Sequence, residues 1–560
     1  MLGLLGWTCL WLVSCMLLRN IRRRTMASDV LDQLPGPPVG SLWTGKTFSR
    51  VHRSLRNGAT VGNMHQFFDR RGLEFHAQLA QDYGSVVKIN GPFWRSMLYL
   101  FDPKALHNII IKQQAIFEEG RNFIDANLLV FGPGLLATIG EQHRRQRKML
   151  NPLFSMAQMR RILPIFYTAS HTLCNALSSR LKDGSREIDL LEWMSRVSLE
   201  LIGQGGLGYN FDAFAEDVKN EYAEALKQVF AALQNVFIFR PLLPYLTAFG
   251  PPWLRRRLAE WVPYAPFQRV KTLIDTMAVH SEAIFIQKMS AMREDAGAGE
   301  KEDIMSVLVK ENNVASDEDK LPDGDIIAQL TTMTLAATDT TANSICRVLH
   351  LLAQHPEAQQ RLREEIVEAR QGIDLPYDDL NQLPYLDAVL RETLRLYPPA
   401  TLLSREALED TVLPLSQPIR CPDGRFMHEL PIAKGTEIIM GVLGSNTNKE
   451  LWGEDALEWK PDRWLSPLPD ALMEAPIPGV YNKSMSFLGG KRACIGFKFA
   501  ETEIKAVLSV LIPQFALDVT DKPIMWNVAT VTYPTVGWES DKPELPLFVT
   551  PLNDGSQGSR

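Results

Sequence analysis

Phe487-Leu-Gly-Gly-Lys-Arg-Ala-Cys-Ile-Gly496 sets one cysteine, Cys494, between Gly490 and Gly496, with Arg492 two residues before the sulfur. Glycines at those places let backbone come close to something large and flat. The stretch that follows, Phe497-Lys-Phe-Ala-Glu-Thr-Glu-Ile-Lys-Ala-Val-Leu508, reads as a helix whose first N–H groups aim back at the sulfur. Such a helix start favours a thiolate, through its orphan N–H groups and its dipole. A lone thiolate presented in this way suits the iron of a haem, and thiolate ligation favours cleavage of the O–O bond. The competing account is a small buried cysteine at a turn, which would stand for a cysteine taken alone. Phe487, Gly490, Arg492 and Gly496 at fixed spacing weigh against it.

The 560-residue chain can bury a large core, and no long Gly/Ser/Pro linker divides it. Glu294-Asp-Ala-Gly-Ala-Gly-Glu-Lys-Glu-Asp303 is only a short polar loop, so one integrated catalytic unit is expected. A net charge of -6 with a pI near 6.0 argues against nucleic acid as a partner. Cys9, Cys15, Cys174, Cys346, Cys421 and Cys494 include no C-x-x-C pair, and no histidine lies at zinc-finger spacing. They suit a chain that folds under reducing conditions, and a structural zinc is not expected.

Leu2 to Leu18 carries no charge and is followed by Arg19, Arg22, Arg23 and Arg24. A cleaved leader has its positive charge before the apolar run, so this order predicts an uncleaved anchor with the body on the cytoplasmic side. Leu34-Pro-Gly-Pro-Pro-Val-Gly40 is too rich in proline for helix or strand and reads as a stiff connector. Short β-like runs occur at Ser85–Ile89 and Ser96–Leu100, then again around Val412–Ile419, Glu437–Met440 and Leu545–Val549. Helical periodicity dominates from about Pro103, including Ile188–Ile202, Lys219–Val236 and Ile326–Leu352. The expected body is therefore mainly α with a small β portion assembled from distant segments. Gly203-Gln-Gly-Gly-Leu-Gly208 matches G-x-G-x-x-G, yet a helical stretch and not a strand precedes it. It reads as a helix C-terminus and turn, and no flavin or NADPH site is expected in this chain.

Three further motifs carry chemistry. In Leu386–Leu396, Glu392 and Arg395 lie three apart on one helix face and can pair. On a surface that pair would be worth under about 1 kcal/mol. Here Pro398-Pro399 ends the helix, and Pro461-Asp-Arg-Trp464 supplies Arg463, so a Glu–Arg–Arg cluster is expected to clamp the segment leading to Cys494. Thr331-Thr-Met-Thr-Leu-Ala-Ala-Thr-Asp-Thr-Thr-Ala342 sits inside a long helical pattern. Threonine hydroxyls compete for the carbonyl four residues back, which suggests a locally distorted helix with room for small molecules. Asp339 and Thr340 form an acid–alcohol pair able to relay protons there. A buried polar kink in a core helix is the competing account, and by itself the stronger one. Gly140–Leu150 carries Arg144, Arg145, Arg147 and Lys148 beside His143. It reads either as a solvated basic face, or as one arginine for a carboxylate plus a dock for an acidic partner.

Together these motifs resemble the cytochrome P-450 family of haem-thiolate monooxygenases, from the anchor nearly to the C-terminus. F-x-x-G-x-R-x-C-x-G is complete, so the resemblance implies Cys494 as the axial ligand of the iron in haem b and Arg492 as a propionate contact. E-x-x-R matches at Glu392 and Arg395, and Pro461-Asp-Arg-Trp464 is similar to the family's P-E-R-F element. Arg405 stands where the family has a propionate-binding basic residue. A-G-x-D-T-T appears as Ala336-Ala-Thr-Asp-Thr-Thr341, with Ala337 in place of glycine, which narrows the groove over the haem. W-x-x-x-R appears as His143-x-x-x-Arg147, and the histidine can still donate a hydrogen bond to a propionate. His143, the basic cluster and Phe154 resemble fungal microsomal members.

The resemblance implies a transmembrane anchor (1–18), a basic and Pro-rich linker (19–44), a cytochrome P-450 haem domain (45–552) and a disordered tail (553–560). It implies hydroxylation or further oxidation of a lipophilic substrate, a terpenoid or another secondary metabolite, with O2 and electrons from NADPH. The residues beyond Cys494 are too few for an attached reductase, so a separate NADPH–cytochrome P-450 reductase is expected, with cytochrome b5 as a second candidate donor. Its expected dock is the basic face of Arg144, Arg145, Lys148 and Lys491. The expected location is the endoplasmic reticulum membrane, single-pass. Val236–Leu246 and Trp253–Arg257 mix apolar, aromatic and basic residues and could dip into the bilayer interface, or equally form an ordinary cover. Phe123, Leu128, Phe131, Met333, Ala336, Leu402 and Leu403 are the candidate pocket residues. Rival readings are a haem-thiolate isomerase or dehydratase, which needs no reductase, and a non-catalytic haem sensor, which needs no pocket.

Overall fold

The computed structural model describes residues 30–37, 63–67, 69–91, 96–214, 221–294 and 303–552. The expected anchor, much of the linker and the tail lie outside them. Among the described residues no helix is long and apolar enough to cross a membrane.

Two apolar clusters form, one helical and one built on a sheet. The helical cluster gathers around Asp323–Gln354, the central helix, which packs against Leu190–Leu201 and Phe497–Leu511. The threonine-rich run does not break it: the α-helix is continuous over 32 residues. Thr332, Thr334, Thr338 and Thr340 each donate to the carbonyl four residues back, at 2.7–2.8 Å. The carbonyl's second lone pair accepts the hydroxyl while the first keeps its amide, so the expected distortion is absent.

The sheet cluster packs on five strands in the order Val86–Asn90, Ser96–Leu100, Glu437–Gly441, Leu402–Ala407 and Phe117–Glu118. Only Ser96–Leu100 and Glu437–Gly441 run parallel. The start of the proline-rich connector docks on this sheet, since the Lys88 N–H donates to the Pro35 carbonyl at 2.9 Å. Among the described residues three smaller sheets complete the β portion.

The helix expected at Ile188–Ile202 begins two residues late. Arg186–Asp189 is a strand, and the Asp189 carboxylate then caps Leu190–Leu201 through the Leu191 N–H at 3.1 Å. The glycine-rich Gly203–Gly208 continues that helix as a π-helical turn, Ile202–Leu207, closed by left-handed Gly208 at φ 64°. A Cβ at Gly203 would meet the Phe211 ring at 2.5 Å, so these glycines serve packing and line no phosphate crevice.

Candidate functional site

The cysteine loop bridges the two clusters. Met485 and Leu488 belong to the sheet cluster, whereas Phe487, Ile495 and Phe497 pack on the helical one. The Cys494 N–H donates to the Phe487 carbonyl at 2.9 Å and closes the loop. Leu488 has φ 54° and Gly490 φ 64°, and a Cβ at Gly490 would sit 2.3 Å from the Ile110 carbonyl oxygen. Alanine there would clash with backbone as well as strain the turn. Cys494 is exposed, yet burial by the surrounding protein is the main influence on its thiol and raises its pKa. Both hold if the sulfur faces an internal hollow. The Gly496 N–H and Arg147 oppose this effect without reversing it. The helix start therefore does not ionise the thiol unaided; a coordinating metal does so outright.

Glu392 and Arg395 are fully buried on Pro384–Leu396 and form a two-pronged pair at 2.8 and 2.7 Å. Arg395 also donates to the Asn446 and Ala456 carbonyls at 2.9 and 2.7 Å and lies over the Trp452 ring. Glu392 accepts from the Lys460 N–H at 3.2 Å, Arg463 at 3.3 Å and the Trp464 indole at 2.9 Å. Asn446 carries the connection onward. Its amide donates to the Arg395 carbonyl and to Ser486 Oγ, and its Oδ1 accepts from the Met485 N–H at 2.7 Å. The cluster thus reaches the cysteine loop through backbone groups on both sides.

The central helix is buried on either side of one window. Ala336 is exposed, and Ala337, Asp339 and Thr340 are half-buried. Burial pushes the Asp339 carboxyl up to about 6. Its Oδ1 accepts from Asn343 at 3.3 Å, and among the described residues no cation pairs with it. Thr341, one residue on from Thr340, faces Glu503 of Phe497–Leu511. Glu503 is fully buried with neither oxygen in hydrogen-bond geometry, and burial raises its pKa well above the carboxylate range.

Basic residues collect at one rim. His143 is buried on Gly140–Leu150; burial first, then Arg492 and Arg147, lower its pKa to about 3, so the ring is neutral. Arg147 donates to the Ala493 carbonyl. Arg492 donates to the Thr138 carbonyl at 2.8 Å, and its Nε is buried without a partner. Arg405 is buried on Leu402–Ala407. Two carboxylates that sequence reasoning missed meet these cations. Glu118 pairs with Lys491 and with Arg492 at 3.2 Å, and Glu119 pairs with Arg405 at 2.8 Å. Burial raises the Glu118 carboxyl, but Lys491 and Arg492 outweigh it and the net shift is downward. For Glu119 burial outweighs Arg405, and the net shift is upward. Lys491 is thereby drawn inward from the expected docking face, where Lys148 also pairs with Asp319 at 2.7 Å.

The pocket candidates divide. Phe131 and Met333 are buried, Phe123, Leu402 and Leu403 half-buried, and Ala336 exposed. Leu128, at 40% exposure, does not form a buried wall. Sequence reasoning also missed Arg347, which lies 3.9 and 3.7 Å from the Tyr397 and Trp526 rings and ties the central helix to the hairpin strand Ile524–Asn527. Neither it nor the acidic pair has a local signal, because their partners are remote in sequence.

Comparison with known proteins agrees with this geometry. The Cytochrome P450 family model matches residues 53–534. Cytochrome P450 monooxygenase 81 of Postia placenta is 47% identical over 532 residues, covering 94% of each chain. A ganoderic acid synthetase of Ganoderma lucidum is 43% identical, covering 94% of this chain and 95% of that one. A crystal structure of a cytochrome P450 superposes with a TM-score of 0.66 at 22% identity, covering 86% of this chain and 95% of that one, and so shares the fold. The residues present fit thiolate-ligated haem: an open sulfur, a glycine cradle, an orphaned arginine Nε and unbalanced positive charge at one rim. The chain belongs to the cytochrome P450 family and is a monooxygenase.

Proposed function

We propose that the chain hydroxylates or further oxidises a lipophilic substrate, a terpenoid or a related secondary metabolite, using O2 and electrons from NADPH by way of a separate reductase. The window of Ala336, Ala337, Asp339 and Thr340 carries this reading, because it leaves an acid and an alcohol uncovered on a helix that is otherwise packed among apolar residues. The printed function of the Ganoderma relative, synthesis of ganoderic acid, favours the terpenoid class.

Haem, when bound to Cys494, supplies the redox chemistry of oxygen activation. The chain's own part is orientation and proton supply. Asp339, held up to about 6, carries a proton in a useful fraction of molecules near neutral pH. Thr340 donates its own hydroxyl proton to the Ala336 carbonyl at 2.7 Å, so its oxygen lone pairs remain free to accept one. Phe123, Phe131, Met333, Leu402 and Leu403 present apolar surface that holds a hydrocarbon and excludes bulk water. Arg492, Arg405, Arg147 and His143 are assigned to the haem carboxylates.

The same reading places the protein on the cytoplasmic face of the endoplasmic reticulum through residues 1–18. A second membrane contact is supported by Leu246, Phe249, Trp253 and Trp261, exposed at 54–71% beside Arg255, Arg256 and Arg257. The reductase dock is assigned to Arg144, Arg145 and Lys148. Purified protein with reductase, NADPH and a panel of terpenoids tests the whole reading. Oxygenated product supports it; NADPH consumption without any oxygenated product refutes it.

A further inference from the structure

The cation cluster beside the cysteine loop has more charge than its arginines need among themselves, and it is only half neutralised. Arg147, Arg405, Lys491 and Arg492 contribute four positive charges, against the two carboxylates of Glu118 and Glu119. Haem b brings two more carboxylates, which balance the remainder. The pairing is divided by geometry. Glu119 meets Arg405 at 2.8 Å with both side chains at most 11% exposed, and Glu118 meets Arg492 at 3.2 Å with both at most 8% exposed. The sheet register enforces this arrangement: Phe117 pairs with Ala407 and Glu118 with Glu406, so the acidic pair runs alongside Arg405. Gly120 follows at once as the cap of Arg121–Phe131, the helix that carries Phe123 and Phe131.

We propose that Glu118 and Glu119 are positioning residues for the haem carboxylates: Glu119 aims Arg405, and Glu118 aims Arg492. An arginine fork is directional, and a buried one with no second anchor turns toward whichever acceptor is nearest, such as the Ser404 carbonyl that Arg405 already meets at 2.7 Å. With a carboxylate holding one edge of the guanidinium, the other edge stays open to the cofactor. The same contact fixes the residue before the cap of Arg121–Phe131, so seating of the cofactor also sets the start of a pocket wall. This inference rests on assigning Arg405 and Arg492 to the haem carboxylates.

The test is the rate of haem transfer from the full-length holoprotein to excess apomyoglobin, followed in the Soret band. E118Q and E119Q are each expected to lose haem about tenfold faster than the parent, the scale of one charged hydrogen bond. The specific signature is in the double variants. E119Q adds nothing to the rate of R405Q but keeps its full factor in R492Q, and E118Q shows the reverse pattern. E118Q with Arg492 also serves as an independent arm if E119Q yields no folded holoprotein. Loss at the parent rate in both single variants overturns the proposal. So does slower loss, which would make the acids competitors of the cofactor, and so does simple additivity in all four double variants. Parent-like retention in R405Q and R492Q themselves overturns the underlying carboxylate assignment instead.

Discussion

Asp339→Asn separates the two things Asp339 does. Burial lifts its carboxyl from 3.8 to about 6. The folded state therefore holds this proton more tightly than the unfolded chain does. Below about pH 4 the group is protonated in both states and costs nothing. As pH rises from about 4 to 6 the unfolded chain releases its proton first, so stability falls through that window and stays lower above it. At 1.36 kcal/mol per pKa unit the full penalty is about 3 kcal/mol, and the partial exposure of Asp339 reduces it to about 2 kcal/mol. Asparagine keeps Oδ1 as acceptor for Asn343 and removes the charge. The variant should melt about 2 °C above the parent at about pH 8, given roughly 1 °C per kcal/mol for a chain of this length, and should match it at about pH 4. Turnover should move the opposite way, with product formed per NADPH falling about tenfold or more as an acid is lost. Calorimetric melts at the two pH values and an NADPH-to-product ratio check both arms. A stability difference that does not change with pH would refute the burial argument. Undiminished coupling would refute the proton role.

The remaining predictions concern the clamp, the thiolate and the membrane face. Arg395→Met leaves the buried Glu392 carboxylate with Arg463 at 3.3 Å in place of a two-pronged partner, strips the Asn446 and Ala456 carbonyls of their donor, and should cost about 3–5 kcal/mol, leaving little folded holoprotein; Arg395→Lys should fare little better, because a point charge cannot replace a fork that serves Glu392 and two carbonyls at once. Expression yield and the reduced carbon-monoxide difference spectrum read this, and a full spectrum from Arg395→Met would contradict it. Cys494→Ser should abolish the red-shifted Soret band that thiolate ligation gives the carbon-monoxide complex; survival of that band would remove Cys494 as the ligand. In a chain lacking residues 1–18, whose insertion would otherwise dominate, Trp253→Ser combined with Trp261→Ser should weaken flotation with liposomes by about tenfold or more per tryptophan, since each is mostly exposed and would bury its ring in the interface. Equal flotation of parent and variant would assign these rings another role.

Much of the site is legible in the chain because it is written locally. The cysteine loop, the Glu392–Arg395 pair and the Asp339–Thr340 pair each lie within one turn or loop, where residue type and spacing already fix the geometry. The decoy Gly203–Gly208 is equally local, and a preceding helix is enough to reject it. The threonine run is less legible. Its hydroxyls do take the carbonyls four residues back, but the helix absorbs them without bending. Lys491 looks like a surface cation in the sequence and is drawn inward only because Glu118 reaches the same rim.

What the sequence determined by itself is which groups exist and how neighbours along the chain face one another: a cysteine between glycines, an acid and a base on one helix face, an acid beside an alcohol. What the tertiary structure decided is every relation that depends on burial or on strand pairing. Glu118 lies 374 residues from Arg492 in the chain and meets it because a short strand pairs at the edge of the five-stranded sheet. Asp339 becomes a weak acid only when the central helix is enclosed. Desolvation and long-range register are properties of the packed chain, and no local pattern of residues encodes either one.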